Sequence, residues 1–212
     1  MAAAPKGVVE AFRESRVVGI IRAKSADVAA EAMKAAVRGG IRVLEFTWTT
    51  PGAAELVREF AQLPELVVGA GTILRTEDVE TAVRAGARFL VSPVVDERVI
   101  DAALSANVTP IPGCATPTEM WRAHQRGAPM QKRFPSGAGP AEIRAILAPM
   151  PFLKIVPTNG VDLANLAAYL DAGAWTCGLV TSLFPPDVLA RRDWAAIEAN
   201  ARALVAEARR AA

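Results

Sequence analysis

Histidine and cysteine are scarce in this chain, and their scarcity excludes several kinds of site. The only histidine is His124, so a metal site with several histidine ligands cannot form. The two cysteines, Cys114 and Cys177, are too few for a disulfide framework and lack the spacing of metal ligands. We therefore expect no metal site, and a reducing cytoplasm is the simplest setting for the chain.

Long apolar runs and clusters of one charge are also missing. No apolar run approaches the ~20 residues that span a bilayer, and residues 1–6 contain no apolar core of a secretory signal. The 24 basic and 22 acidic residues are spread along the chain without a basic, aromatic-rich cluster. We therefore predict neither a membrane nor a nucleic-acid partner. The 212 residues, 52% of them hydrophobic, suit one globular domain with a full core.

Two local patterns alternate along the chain and indicate the fold. Short β-prone runs predict strands at 17–22, 41–47, 67–70, 88–91, 109–111, 130–134, 153–156 and 176–180. Alanine-rich segments with helical spacing predict helices at 26–38, 51–62, 76–85, 97–106, 116–126, 140–147, 163–172 and 194–208. Eight such units in about 200 residues favour an α/β TIM (β/α)8 barrel over an open sheet. We assign residues 1–212 to this single domain, with an N-terminal helix at about 6–15 covering its bottom.

Lys132 and Glu45 are the candidate catalytic residues. Lys132 lies in a strand-like run at 128–135, where an inward lysine loses solvation, and burial lowers the pKa of an amine. A free amine can attack a ketone and form a Schiff base. Glu45 lies near the end of an otherwise apolar strand and could move protons. Two alternatives stay open: Lys132 could reach solvent from a strand edge, and Lys154 is a rival placed nearer the barrel bottom.

Further polar residues stand at the carboxyl ends of predicted strands, where the active sites of parallel barrels lie. They are Arg22, Glu45, Thr47, Thr72, Ser92, Thr116, Lys132, Thr158, Asn159 and Thr181. The loops at 157–161 and 178–182 follow the last two strands, where barrels commonly hold phosphate on backbone N–H groups. Ordinary loop structure is the alternative. Trp48 and Trp175 are expected to pack beside the mouth.

Six segments, in this order and spacing, resemble the KDPG/KHG aldolases, the class I aldolases of 2-keto-3-deoxy-6-phosphogluconate and 4-hydroxy-2-oxoglutarate. The resemblance runs from about residue 17 to residue 208. The segments are GIRVLEFT at 40–47, VGAGTIL at 68–74, FLVSP at 89–93, IPGCATPTE at 111–119, KRFP at 132–135 and VPTNGV at 156–161.

The resemblance implies a TIM barrel, usually a homotrimer, that needs no cofactor and cleaves a small keto acid to pyruvate and an aldehyde such as glyceraldehyde 3-phosphate. It implies that Lys132 forms the Schiff base and that Glu45 moves protons through water. Thr72 and Thr158 match contacts to the pyruvyl carboxylate, and Arg22 matches an arginine present in part of the family. The other substrate-binding residues that it implies are Thr47, Pro93, Phe134, Asn159, Gly160, Val180 and Thr181.

Four departures from the family pattern bear on the substrate. Trp48-Thr49-Thr50 replaces Leu-Arg-Thr and removes an arginine that binds carboxylate in many members. Asn159 replaces a glycine, and Val180-Thr181 replaces the Gly-Ser pair that helps to hold phosphate. Arg133 replaces an apolar residue and is expected to add a charge beside the lysine.

We therefore expect the chemistry to be retained and the preference for phosphate to be weakened. The substrate could instead be 4-hydroxy-2-oxoglutarate or an unphosphorylated keto acid. A different phosphate-binding barrel, such as an isomerase or synthase, and a non-catalytic barrel for assembly or binding remain as alternatives.

Overall fold

The computed structural model describes residues 7–135 and 138–211, in which parallel strands alternate with helices. The strands are β1 Val17–Ile21, β2 Val43–Thr47, β3 Val67–Gly71, β4 Phe89–Ser92, β5 Thr109–Cys114, β6 Gln131–Arg133, β7 Ile155–Pro157 and β8 Cys177–Leu179. The helices are α1 Val8–Ser15, α2 Ala26–Arg38, α3 Ala53–Phe60, α4 Thr76–Arg84, α5 Glu97–Ser105, α6 Pro117–Gln125, α7 Pro140–Leu147, α8 Leu166–Asp171, α9 Pro186–Arg191 and α10 Trp194–Arg210. Within this described part, no helix is both long and apolar enough to cross a bilayer.

The strands form one nearly closed sheet in the order β7-β6-β5-β4-β3-β2-β1-β8. Between β7 and β8 the closure rests on a parallel bridge from Thr158 to Gly178 and on a hydrogen bond from Trp175 N to Ile155 O of 2.9 Å. A Cβ atom at Gly178 would overlap the Thr158 side chain, so the glycine permits this close approach. The predicted TIM-barrel fold is confirmed.

Alternation along each strand divides the side chains between two cores. In β2, Leu44 and Phe46 belong to the core between the sheet and the surrounding helices, whereas Val43 belongs to the core inside the barrel. Phe89 and Met130 join Val43 in this inner core. Among the described residues, this inner core occupies the amino-terminal half of the barrel, which leaves space for a ligand near the carboxyl ends of the strands.

Helix α1 covers the amino-terminal end of the barrel. Its Val8 and Phe12 belong to the inner core, and the Phe12 ring meets Phe89 edge to face at a centroid distance of 4.9 Å. Trp175 Nε1 donates to Val9 O at 3.0 Å. The helix was predicted at about 6–15 and begins at Val8 in the structure, while residue 6 lies outside the described residues.

Two sequence-based expectations about placement have different outcomes. Trp175 was expected beside the mouth, but it precedes β8 and therefore lies at the amino-terminal end, against α1. Lys154 precedes β7 and was expected near the bottom of the barrel. Its Nζ lies 5.3 Å from the Trp175 ring centroid, so it is indeed at that end.

The predicted helix boundaries differ most from the structure near the C-terminal third of the chain. The helix predicted at 163–172 begins only at Leu166, because the Asp162 carboxylate accepts hydrogen bonds from Ala164 N and Asn165 N in a preceding turn. The short helix α9, which starts at Pro186, was not predicted. Adjacent prolines at 185 and 186 are typical of a loop. Pro186 is nevertheless the first residue of α9, a position where proline is tolerated because its missing N–H group is not needed there.

Candidate active site

A cavity of about 180 Å³ opens at the carboxyl ends of the strands. Its lining residues come from or follow all the strands except β5. They are Ile20, Arg22, Glu45, Thr47, Thr72, Ser92, Pro93, Lys132, Phe134, Thr158, Asn159 and Val180. Of the site residues predicted from the sequence, Gly160 and Thr181 do not line the cavity.

Lys132 and Glu45 face each other in the floor of this cavity. Lys132 lies in the middle of β6 and Glu45 in the middle of β2, and Lys132 Nζ is 3.7 Å from Glu45 Oε1. Their side chains are only 10% and 3% exposed. Gly71 of β3 makes room for the carboxylate, since a Cβ atom there would overlap Glu45 Oε1. An amine and a carboxyl group thus share one buried, confined position.

Burial is the main influence on the Glu45 carboxyl group. It raises the pKa of Glu45 above the ordinary glutamate value, because the protein interior disfavours the ionised form. The charges of Lys132 and Arg22 act in the opposite direction and lower this pKa. The net result is a raised pKa, which suits a group that both takes up and releases protons during turnover.

Arg22 supplies a fixed positive charge at the rim of the cavity. Its Nη1 donates to Thr49 Oγ1 at 2.5 Å and its Nη2 donates to Thr72 Oγ1 at 3.2 Å. Thr72 has a backbone φ of 62°, which is rare for a β-branched residue. A strained conformation of this kind is often found where a side chain must be aimed at a ligand. Arg22 and Thr72 therefore form one hydrogen-bonded unit beside β3.

The opposite side of the cavity is formed after β7 and β8. Asn159 has a φ of 76°, a left-handed conformation that asparagine adopts more readily than most residues, so the backbone keeps a glycine-like path there. Asn165 Nδ2 donates to Gly160 O at 2.8 Å and holds this loop. Val180 packs against the inner core and lines the cavity. Both loop changes therefore reach the cavity, and Val180 places a β-branched side chain in its wall.

Arg133 was expected to add a charge beside Lys132, and the structure corrects this expectation. Adjacent residues of a strand point to opposite sides, so Arg133 faces the helices while Lys132 faces the cavity. Arg133 Nε and Nη2 donate to the Glu142 carboxylate at 3.0 and 2.8 Å, and Nη1 donates to Pro135 O at 2.8 Å. The guanidinium is thus neutralised behind β6, where it supports the segment that carries Phe134.

Four residues noted in the sequence, Thr116, Cys114, Cys177 and His124, do not line the cavity, and their contacts are with the surrounding fold. Thr116 accepts a hydrogen bond from Glu119 N at the start of α6, and the Glu119 carboxylate accepts one from Thr116 N. Burial raises the pKa of the Cys114 thiol to about 12 and also raises that of Cys177, so neither thiol is activated as a nucleophile. His124 lies on α6 with its ring centroid 4.8 Å from that of Phe152.

Across residues 7–135 and 138–211, acidic, cysteine and histidine side chains form no group of three that could bind a metal.

Two lining residues, Ile20 and Ser92, were absent from the predicted site. The alternation of β1 places every second residue inside the barrel, and this pattern could have identified Ile20. Ser92 was noted as a polar residue at a strand end. Its Oγ donates to Val94 O at 2.6 Å, so its hydroxyl stabilises the loop that begins at Pro93.

Comparison with known proteins finds matches over most of this chain. The family model for KDPG and KHG aldolase matches residues 8–200. The 2-dehydro-3-deoxy-phosphogluconate aldolase of Pseudomonas aeruginosa is 35% identical over 90% of this chain and 88% of its own. The KHG/KDPG aldolase of Escherichia coli K12 is 35% identical over 89% of this chain and 90% of its own.

A solved structure extends the likeness to three dimensions. The KDPG aldolase of Legionella pneumophila, crystallised with pyruvate captured at low pH as a covalent carbinolamine, superposes with a TM-score of 0.85. It is 28% identical, and the match covers 92% of this chain and 97% of that one.

Proposed function

This chain belongs to the KDPG/KHG aldolase family, and on that premise we propose that it cleaves 2-keto-4-hydroxy acids through a Schiff base on Lys132. The observation that carries the proposal is the buried pair of Lys132 and Glu45, with Nζ and Oε1 3.7 Å apart in the floor of the cavity. An amine in this place can react with a ketone, and a carboxyl group of raised pKa stands beside the reacting atoms.

The reaction begins when Lys132 gives one ammonium proton to water and the resulting amine attacks the C2 carbonyl to form a carbinolamine. The carbinolamine takes this proton back and loses water, which leaves a protonated imine. Glu45, acting through a water molecule, accepts the proton of the C4 hydroxyl group. The C3–C4 bond then breaks, its electron pair moves into the imine to form an enamine, and the aldehyde leaves. Protonation of the enamine at C3 and hydrolysis of the imine release pyruvate and restore Lys132.

We assign the keto acid's carboxylate to the side of the cavity that holds Arg22 and Thr72. Both residues follow strands adjacent to β2, and the Arg22 guanidinium is held by Thr49 and Thr72. In this proposal, Arg22, which follows β1, takes the place of the arginine that many members carry at the Thr49 position. Thr158, which the resemblance also links to the carboxylate, follows β7, four strands away from β3, and we assign it to the distal part of the substrate.

We further propose that the distal site has a weakened preference for phosphate. Val180 occupies space where the family pattern has glycine, and a β-branched side chain hinders the approach of an anion to backbone N–H groups. The two relatives are named for phosphogluconate and for both KHG and KDPG. We therefore propose 2-keto-3-deoxy sugar acids and 4-hydroxy-2-oxoglutarate as the substrate class, with phosphate favourable but not required.

The test of the Schiff base is reduction with borohydride in the presence of pyruvate, followed by intact-mass measurement. The parent should gain the mass of one reduced pyruvate adduct, and Lys132→Ala should gain none. Lys154→Ala is the matched control, because Lys154 directly precedes the neighbouring strand β7 and lies at the opposite end of the barrel. It should be trapped like the parent.

Absence of an adduct in the parent would favour an isomerase, a synthase or a non-catalytic barrel. An adduct that persists in Lys132→Ala would place the chemistry on another lysine.

The predicted homotrimer is a separate proposal, and sedimentation equilibrium would test it by giving three times the mass of one chain.

A further inference from the structure

Three threonines beside Arg22 form a connected chain of hydroxyl groups. Thr47 Oγ1 lies 3.3 Å from Thr49 Oγ1 and 3.2 Å from Thr50 Oγ1. Arg22 Nη1 donates to Thr49 Oγ1, and Ala23 N donates to Thr50 Oγ1 at 3.2 Å. Two N–H groups, neither of which can accept a hydrogen bond, therefore stand at the two ends of this threonine chain.

The burial of Thr50 limits the direction of its hydroxyl proton. A threonine hydroxyl has one proton to donate and two lone pairs. Thr50 uses one lone pair to accept from Ala23 N, and its burial keeps its own proton from solvent, which leaves Thr47 Oγ1 as the acceptor beside it. Thr47 thus accepts from Thr50 and keeps its own proton to donate. Thr49 is exposed, so it can donate to Thr47 or to solvent while it accepts from Arg22.

A carboxylate in the cavity is a stronger acceptor for the Thr47 proton than the neutral Thr49 hydroxyl is. Thr47 is 3% exposed and lies on the same face of β2 as Glu45, among the lining residues. The same reasoning applies to Thr72, which accepts from Arg22 Nη2 and so directs its proton away from Arg22. Arg22, Thr47 and Thr72 thus present donors to one side of the cavity. A group that only accepts hydrogen bonds, such as a carboxylate, matches this arrangement.

We propose that Thr49 and Thr50 are positioning residues that hold the Thr47 hydroxyl as a hydrogen-bond donor to the carboxylate of the keto acid. The proposal rests on the proposed function, since it concerns the same substrate, but it assigns a specificity that neither Lys132 nor Glu45 provides. Because these groups present donors, the cavity discriminates between a carboxylate and a neutral amide of the same shape. An amide NH2 group is itself a donor, and it meets the Arg22 guanidinium, which cannot accept a hydrogen bond.

The test compares pyruvate with pyruvamide, its neutral and nearly isosteric amide. The concentration of each compound that gives half-maximal borohydride trapping is measured, and the ratio of the two values is the selectivity. The parent should strongly prefer pyruvate. Thr47→Val should reduce the selectivity about tenfold, the usual worth of a hydrogen bond to a charged group. Thr49→Val and Thr50→Val should each reduce it severalfold, and the double variant about tenfold, because Thr47 can then rotate and accept from the amide.

Thr49→Ser and Thr50→Ser are the matched controls, since they keep the hydroxyl oxygen and should keep the selectivity. Thr49 is exposed, so Thr49→Val tests the idea even if a change at buried Thr50 impairs folding. Equal weakening of pyruvate and pyruvamide would show a merely structural role and overturn the proposal, as would unchanged selectivity in Thr47→Val. Loss of pyruvate trapping in the parent would instead refute the Schiff base itself, which separates the two conclusions.

Discussion

At the amino-terminal end of the barrel, the inward side chains are apolar and closely packed, whereas at the carboxyl-terminal end they are ionisable or carry hydroxyl groups. The first group includes Phe12 and Phe89, with ring centroids 4.9 Å apart. The second includes Lys132 and Glu45, which line an open cavity. The same strands contribute to both ends, so the level along a strand, and not the strand itself, decides whether an inward residue stabilises the fold or faces a ligand.

The two lysines of neighbouring strands show this contrast within one residue type. Lys154 precedes β7, is partly exposed, and places its ammonium 5.3 Å from the Trp175 ring centroid. Lys132 lies within β6, is almost fully buried, and faces a carboxylate. A cation over an aromatic ring at the surface is modestly stabilised, while a buried amine beside a proton carrier can be reactive. The difference in depth is what makes one of them a candidate nucleophile.

Of the changes that test the difference between the two ends of the barrel, Glu45→Gln should have the largest effect. Glu45→Gln removes the proton carrier but keeps the shape of the side chain, so proton exchange at the pyruvate methyl group should slow by about 10²–10⁴-fold. The measurement is deuterium uptake from solvent by NMR. Imine trapping at Lys132 should continue in this variant, because amine attack does not require the carboxylate. Unchanged exchange would show that water or another residue moves the proton.

At the other end of the barrel, Phe12→Ala should reduce stability without altering the chemistry. The ring is buried against Phe89, and removal of a large buried aromatic side chain typically costs about 3–5 kcal/mol. Denaturant unfolding monitored by circular dichroism would give the change. At a temperature where the variant is folded, its kcat should equal that of the parent. A large loss of kcat in the folded variant would contradict the separation of the two ends.

The pH dependence of exchange should reveal the burial of Glu45. Burial raises the pKa of this carboxyl group, and Lys132 and Arg22 lower it by a smaller amount. In the proposed mechanism the carboxylate is the base, so exchange should fall about tenfold per pH unit as the pH drops below this raised pKa, which lies above the usual value of about 4.3. Arg22→Gln removes one opposing charge and should move this acidic limb to higher pH. If the exchange rate of Arg22→Gln falls at the same pH as that of the parent, Arg22 does not influence the pKa of Glu45.

The smallest effect is expected on the distal side of the cavity. Val180→Gly together with Thr181→Ser should increase, by about tenfold, the ratio of kcat/KM for a phosphorylated over an unphosphorylated keto acid, since backbone donors become accessible. Thr181→Ser alone should change little, because Thr181 is exposed and does not line the cavity. If the parent already prefers the phosphorylated acid by several orders of magnitude, Val180 does not obstruct the anion.

Local sequence patterns determined the fold and the kind of chemistry. Alternation of β-prone and helical segments is a property of neighbouring residues, and eight repeats of it suffice to specify a barrel. Lys132 and Glu45 stood out because ionisable residues within apolar strands are costly to bury. The polar residues at strand ends were placed by the same argument, since the carboxyl ends of parallel strands meet at one face. Only Thr116 and Thr181 of that group remain outside the cavity lining.

Tertiary structure decided the properties that depend on distances between strands. Only the folded barrel shows that Gly71 makes room for Glu45, that Arg133 turns outward to Glu142, and that Val180 takes up cavity space. The hydrogen bonds of the threonines beside Thr47 likewise depend on Arg22 and Ala23, which follow another strand. A pattern of residue types specifies which face of a strand a side chain occupies. It does not specify which atoms of other strands it meets, because register and barrel closure set those contacts.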